Sequence, residues 1–206
     1  MSPRPYRLGR RRAAAEQTRA RVLAAARELL AAGGGFAGFT IDAVARQAGV
    51  ARMTVYHQFR SKVGLLEALC DFLAVRGGIE AMPGAFQQPD PLDGLAELIA
   101  IFGHFWDSDR VVIRRLQGLA ALDPDIEQVL RERAGRRRYG LEFLLRRLSK
   151  EHGRPRRKAC NETVEILFAL TSFEFADTLA GPGRSLAEVA PLVRRLALEA
   201  LGLKKG

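Results

Sequence analysis

The side chains best suited to chemistry sit between Thr40 and Lys62, in the stretch T-I-D-A-V-A-R-Q-A-G-V-A-R-M-T-V-Y-H-Q-F-R-S-K. Their chemistry is recognition of a polyanion. Thr40 can offer its hydroxyl, or the amides beside it at a helix start, to a phosphate. Arg52 can pair with guanine O6 and N7, and can equally meet a phosphate. Met53 lies beside it at the leading end of the same segment, where base edges are read. Thr54 and Tyr56 add hydroxyls, and Tyr56 also reads as a half-buried core ring. His57 reaches a phosphate or a base, or stands as a solvated surface histidine. Arg46 is a solvated or phosphate-edge charge.

These residues need two short helices and a turn to hold them. Ile41, Val44, Ala45 and Ala48 follow the i, i+3, i+4, i+7 spacing of one helix face. Thr40 precedes them as an N-cap. Gly49 can take the left-handed conformation that ends a helix, with Val50 packing under the turn. Val55, Tyr56 and Phe59 give the second segment an inner face, while Arg52, Met53, Thr54 and His57 face outward. Together they read as a helix-turn-helix, whose second helix can enter a DNA major groove. A preceding helix with Val22, Leu23, Ala26, Leu29 and Leu30 at helical spacing completes a three-helix unit, closed by Phe36 and Phe39. The glycine run 33–35 stops that first helix. It is not followed by G-K-S/T and is not a phosphate loop.

Charge supports the same reading. Residues 1–65 hold 12 Lys and Arg against 3 Asp and Glu, a net of +9, while the whole 206-residue chain carries +10. The positive charge therefore belongs to the end with the helix-turn-helix, as a nucleic-acid module requires. Residues 1–12, with five arginines and two prolines, are expected to be a disordered arm. It either aids solubility or adds phosphate or minor-groove contacts. Cys70 and Cys160 lie far apart without a C-x-x-C partner, so a reduced, cytoplasmic protein with buried thiols is expected. No segment reads as a signal peptide or a membrane span.

With these residues in place, 18–69 resembles the N-terminal domain of the TetR (tetracycline repressor) family. The resemblance rests on A-A-x-E-L-L, then G-F-x-x-F-T-I-D-x-V-A-x-x-A-G-V-A-x-x-T-V-Y-x-x-F-x-S-K-x-x-L-L. It covers about a quarter of the chain, and its combination of turn, Tyr56 and Ser61-Lys62 is specific. It implies an all-α homodimer with a DNA-binding head and a larger C-terminal domain that usually binds a small effector. It also implies that Thr54, Tyr56 and Lys62 are phosphate contacts. Ala51, Val63, Gly64 and Gln58 depart from the pattern. Ala51 stands where a capping serine is common, and Gly64 where a capping-box acid is common.

The expected organisation is an arm (1–12), a helix-turn-helix domain (13–62) and a helical-bundle domain for effector binding and dimerisation (63–206). Ser61 to Arg76 forms a connecting helix. Residues 77–91 form a loop. Helices follow at about 92–107, 110–120, 124–151, 156–180 and 185–201, with Ser185 and Glu188 as a capping box and Pro191 kinking or starting the last. Phe102, Phe105, Trp106, Phe143 and Phe168 are the candidate effector-pocket residues, beside the alternative that they are plain core. His104 is expected to be buried and bonded. The basic runs 133–138 and 154–158 read as solvated helix faces and turns. By resemblance the last two helices form the dimer interface, through Leu167, Thr171, Thr178, Val193, Leu196, Ala197 and Ala200. The expected partners are therefore a pseudo-palindromic DNA operator, an unidentified small molecule and a second copy of the chain. His57, His104 and His152 have no metal-ligand spacing, and no nucleophile–base–acid set is legible. No cofactor and no enzymatic activity are expected.

Overall fold

The computed structural model describes residues 4–33, 38–151 and 157–203, and every helix or strand element among them is helical. The order is α1 (Arg4–Ala32), α2 (Ile41–Ala48), α3 (Arg52–Phe59), α4 (Lys62–Arg76), a 3-10 turn (Ile79–Ala81), α5 (Met82–Gln87), α6 (Pro91–Ser108), α7 (Arg110–Ala120), α8 (Pro124–Glu151), α9 (Arg157–Leu170), α10 (Phe173–Ala180) and α11 (Leu186–Ala200). They form two compact units. One contains residues 1–72 and 115–129, the other 73–114 and 130–206. The sequence places a division at Lys62, whereas the first unit also takes in 63–72 and 115–129, where Arg115 donates to Leu30 O and Asp123 pairs with Lys62.

In the first unit, Val22, Leu23, Ala26 and Leu30 of α1 are buried with Val44, Ala45 and Ala48 of α2 and Val55 and Phe59 of α3. Phe39 and Leu65, Leu66 and Leu69 of α4 are buried as well. Each fully buried leucine contributes about 1.5–3 kcal/mol of transfer free energy. The expected disordered arm is corrected from Arg4 onward, since α1 begins there. Proline is tolerated in a first helical turn, and the Arg/Ala-rich run behind Pro5 is made of strong helix formers. Phe36 and residues 1–3 lie outside the described residues. Cys70 is buried as expected. The side chain of Cys160 and the run 154–158 lie outside the described side chains.

The second unit is built on α6. A side chain at Gly94 would collide with the carbonyl of Ala85 in α5, and one at Gly103 would press on Leu186 and Ala190 of α11. Glycine thus lets α6 approach both neighbours closely. Residues 77–91, expected as a loop, instead hold the 3-10 turn and α5. Pro83 fits the first turn of α5, and burial of Ala85 secures it. The single helix expected over 156–180 is broken at Thr171-Ser172, where Ser172 caps α10 by accepting from Phe175 N–H at 3.2 Å. Pro191 does not start α11. The Ser185–Glu188 capping box does, together with Asp107 Oδ1, which accepts from Leu186 N–H at 2.9 Å. His104, expected to be buried, is exposed.

Four residues expected at a dimer interface are corrected as well. Leu167, Thr171, Val193 and Ala197 are buried within a single copy. Their periodicity marks this unit's own core. Thr178 is exposed, and Leu196 and Ala200 are half-buried, so these three keep surface to offer.

Candidate nucleic-acid interface

The turn is set by four local devices. Thr40 is extended (φ −125°, ψ 158°), and its Oγ1 accepts from Ala43 N–H at 3.1 Å. Gly49 is left-handed (φ 62°, ψ 40°), where a side chain would be strained. Gly49 N–H then donates to Arg46 O at 3.1 Å and Val50 N–H to Ala45 O at 3.0 Å. α3 begins after Ala51 with no side-chain cap, and ends at Arg60 with φ 65°. Ser61 caps α4, its Oγ accepting from Gly64 N–H at 3.0 Å. A side chain at Gly64 would collide with the carbonyl of Phe59. The glycine that departs from the resembled pattern is thus what lets α4 start directly against the end of α3.

α1 holds α3 from behind. The Arg19 guanidinium lies 4.6 Å from the Phe59 ring centroid and donates to Gln58 O at 3.4 Å. Gln58, another departure, donates from Nε2 to Ala15 O at 3.4 Å. With Val55 and Phe59 buried and Thr54 and Tyr56 half-buried, α3 presents Arg52, Met53 and His57 to solvent. Met53 is 59% exposed, an apolar side chain with no core to fill. Arg52 is held lightly. It donates to Tyr56 OH and to Asp42 Oδ2, both at 3.3 Å, and its guanidinium sits 5.5 Å from the Tyr56 ring. The Tyr56 hydrogen bond, then the Asp42 charge, raise its pKa further, so it stays a cation at any working pH. Thr40 is also exposed.

Lys62 has a different setting from the one expected. Its ammonium pairs with Asp123, just before α8. That hydrogen bond holds the Asp123 carboxyl below the usual aspartate range. Sixty-one residues separate the two, so no spacing could have announced the pair.

Of the candidate pocket residues, Phe102, Phe105 and Trp106 come together on α6. The Phe102 and Trp106 rings stack at 5.5 Å, and Phe105 lies 4.5 Å from Trp106. Phe168 joins through Arg137, whose guanidinium lies 4.1 Å from the Phe168 centroid and 5.9 Å from that of Phe102. Phe143 does not join. It is partly exposed and meets Phe86 edge-on at 5.7 Å, because it faces away from the α6 cluster on α8. A cleft bordered by Ile99, Phe102, Trp106, Leu170, Thr171 and Val193 encloses only about 10 Å³. That is room for about one water.

Comparison with known proteins agrees with this geometry. Residues 22–69 match the family described as "Bacterial regulatory proteins, tetR family". That segment belongs to the TetR family of bacterial regulatory proteins. The fold of the chain is similar to that of a putative TetR-family transcriptional regulator from Mesorhizobium loti, with a TM-score of 0.66 at 16% identity, covering 92% of this chain and 97% of that one. PfmR from Thermus thermophilus is similar too, at a TM-score of 0.64 and 22% identity, over 89% and 99% of the two chains. So is a transcriptional regulator from Saccharomonospora viridis solved in complex with choline, at 0.64 and 20% identity over 89% and 96%. No curated protein sequence matches the chain.

Around this TetR-family segment, the residues that sequence reasoning missed are mostly partners. Asp42, Asp123, Arg19 and Gln58 orient the residues it had singled out. Arg137 had a legible signal. It stands four and seven residues before the buried Leu141 and Leu144, on the inner face of α8. The reading of 133–138 as a solvated face is therefore corrected at Arg137. Among the described residues, no group of His, Cys, Asp and Glu is placed to hold a metal, and no described helix is long and apolar enough to cross a membrane.

Proposed function

We propose that this chain is a repressor that binds a pseudo-palindromic operator as a homodimer and is released by a small-molecule effector. The observation that carries the DNA half is the exposed row Arg52, Met53 and His57 on a helix whose other face is anchored by Val55 and Phe59. In this reading Arg52 reads a base after leaving Asp42 and Tyr56. Thr40, Thr54 and Tyr56 position the backbone. Lys62 reaches a phosphate only by leaving Asp123. Two copies joined through α10 and α11, using Thr178, Leu196 and Ala200, would set two reading helices about 34–36 Å apart.

The choline complex of a protein with a similar fold supports a small-molecule effector. The effector acts only through its different affinities for the two states. One observation favours the alternative of a ligand-independent architectural or activator-type DNA-binding dimer, namely how little space the aromatic cleft encloses. Selection of bound genomic fragments by the full-length protein, followed by footprinting, tests the proposal. It is expected to yield one motif with two inverted half-sites a helical turn apart. Sequence-tolerant binding without a motif would overturn it.

A further inference from the structure

Arg137 is a cation placed among apolar groups with nothing of opposite charge bonded to it among the described residues. Its guanidinium lies against the face of Phe168 and near that of Phe102. Both of its hydrogen bonds come from Nη1, to Phe168 O at 2.6 Å and to Thr171 Oγ1 at 2.7 Å. Both acceptors are neutral. Among the described residues it forms no ion pair, and Glu174 is the one acid that influences its charge. Loss of hydration lowers its pKa to about 10, which still leaves it charged at neutral pH. A second guanidinium, that of Arg138, lies 5.6 Å from the same Phe168 ring, though it is paired with Glu165.

This cation adjoins the aromatic cleft. Thr171, which accepts from Arg137, borders the cleft, as does Phe102. Trp106 borders it too and donates from Nε1 to Thr171 O at 3.3 Å. Nε and Nη2 of Arg137 have no protein partner among the described residues, and neither is a sealed, unsatisfied atom. These two donors form the side edge of the guanidinium, which matches the two oxygens of a carboxylate. The residues that border the cleft, Ile99, Leu170, Ala176, Leu186, Ala190 and Val193, are aliphatic and suit an apolar tail.

Resting on the effector reading above, we infer that the cleft between α6, α9 and α11 binds a small organic carboxylate, its apolar body against Phe102 and Trp106 and its carboxylate on the Nε/Nη2 edge of Arg137. The enclosed space of about 10 Å³ means that the cleft opens as ligand enters. Pockets for such ligands run from about 300 Å³ upward. A quaternary ammonium is disfavoured here. Aromatic faces attract it, but an uncompensated guanidinium on the same rings repels it.

Trp106 is the only tryptophan in the chain, so its fluorescence reports on the cleft directly. Full-length protein is titrated with sodium hexanoate, hexanamide and choline chloride at constant ionic strength. Hexanoate is expected to saturate the signal and to bind at least about tenfold tighter than hexanamide, a difference of about 1.4 kcal/mol. Arg137→Met removes that preference, and Arg137→Lys, which keeps the charge but not the fork, retains part of it. Circular dichroism checks folding. If Arg137→Met does not fold, the weaker carboxylate preference of Arg137→Lys carries the test. Equal binding of hexanoate and hexanamide, tighter binding of choline, no saturation by hexanoate, or an unchanged preference in the folded variants would each overturn the site. The same ligands are then added to the protein–DNA complex. Hexanoate that binds without releasing DNA counts against effector release and leaves the site standing. Release by hexanamide or choline that ignores Arg137 counts against the site and leaves effector release standing.

Discussion

The arginines of the two units are held in opposite ways. Arg52 in the first unit is exposed and makes two contacts of 3.3 Å, to a carboxylate and a phenol. Arg110 in the second unit is largely buried. It donates to Asp177 Oδ1 at 2.6 Å, to Gly181 O at 2.7 Å and to Arg184 O at 2.8 Å, closing the α10–α11 turn. Arg114 adds a two-bond grip on the same carboxylate, at 2.9 and 2.6 Å. A guanidinium with many short bonds is committed to the fold. One with two long bonds at the surface can exchange them for a base edge or a phosphate at little cost. Arg137 stands between these cases, bonded to neutral oxygens on one side and, among the described residues, unpaired on the other.

That contrast can be broken at its strongest point first. Asp177→Asn leaves two guanidiniums without their carboxylate, and is expected to destabilise the second unit by about 3 kcal/mol in urea unfolding. DNA affinity of the folded protein should be unchanged. A loss below about 0.5 kcal/mol would place Arg110 with the loosely held arginines. Arg52→Ala should show the reverse pattern. Stability stays within about 0.5 kcal/mol, while discrimination at one base position falls by about 1–3 kcal/mol in competition binding. A binding motif identical to wild type would remove Arg52 as the base reader.

Gly64→Ala tests whether the first unit needs its reading helix tightly abutted to α4. The methyl would collide with Phe59 O, so a loss of about 1–3 kcal/mol is expected. Thr40→Ala removes the cap on Ala43 N–H and should lower stability by about 1 kcal/mol in the same measurement.

The smallest effect concerns pH. The carboxyls of Asp123 and Asp177 are held below their ordinary value, the first chiefly by the Lys62 hydrogen bond and the second chiefly by that of Arg114. A depressed folded pKa stabilises the native state above the unfolded value of about 3.9, and that contribution fades as pH falls through the folded value. Melting temperature should therefore drop below about pH 4, and less steeply in Asp123→Asn. The same variant frees Lys62. If Lys62 serves a phosphate, DNA binding at neutral pH strengthens modestly.

Local signals were legible where the physics is local. Thr40 and Gly49 bracket α2 because a hydroxyl cap and a left-handed glycine act within four residues. Ala51 as an uncapped start, and the Ser185–Glu188 box, were readable for the same reason. The aromatic cluster was half legible. Phe102, Phe105 and Trp106 share one helix and pack together, while Phe143 on α8 turned to Phe86. Four of the seven dimer candidates lie in the core because helical periodicity marks a buried face without saying what buries it. Leu167 and Ala197 are covered by their own unit.

The sequence by itself determined an all-helical chain, a basic end, and a helix-turn-helix of the TetR type with Arg52, Met53 and His57 facing outward. Caps, turns and helical faces depend on neighbours a few residues away, so their energies are written along the chain. Only the tertiary structure decided which charges are spent and which are left over. Lys62 is drawn to Asp123, Arg110 and Arg114 to Asp177, and Arg137 is left beside an aromatic cleft with no carboxylate among the described residues bonded to it. Pairing of that kind joins residues many tens of positions apart, where desolvation and Coulomb attraction depend on the packed fold and not on spacing in the chain.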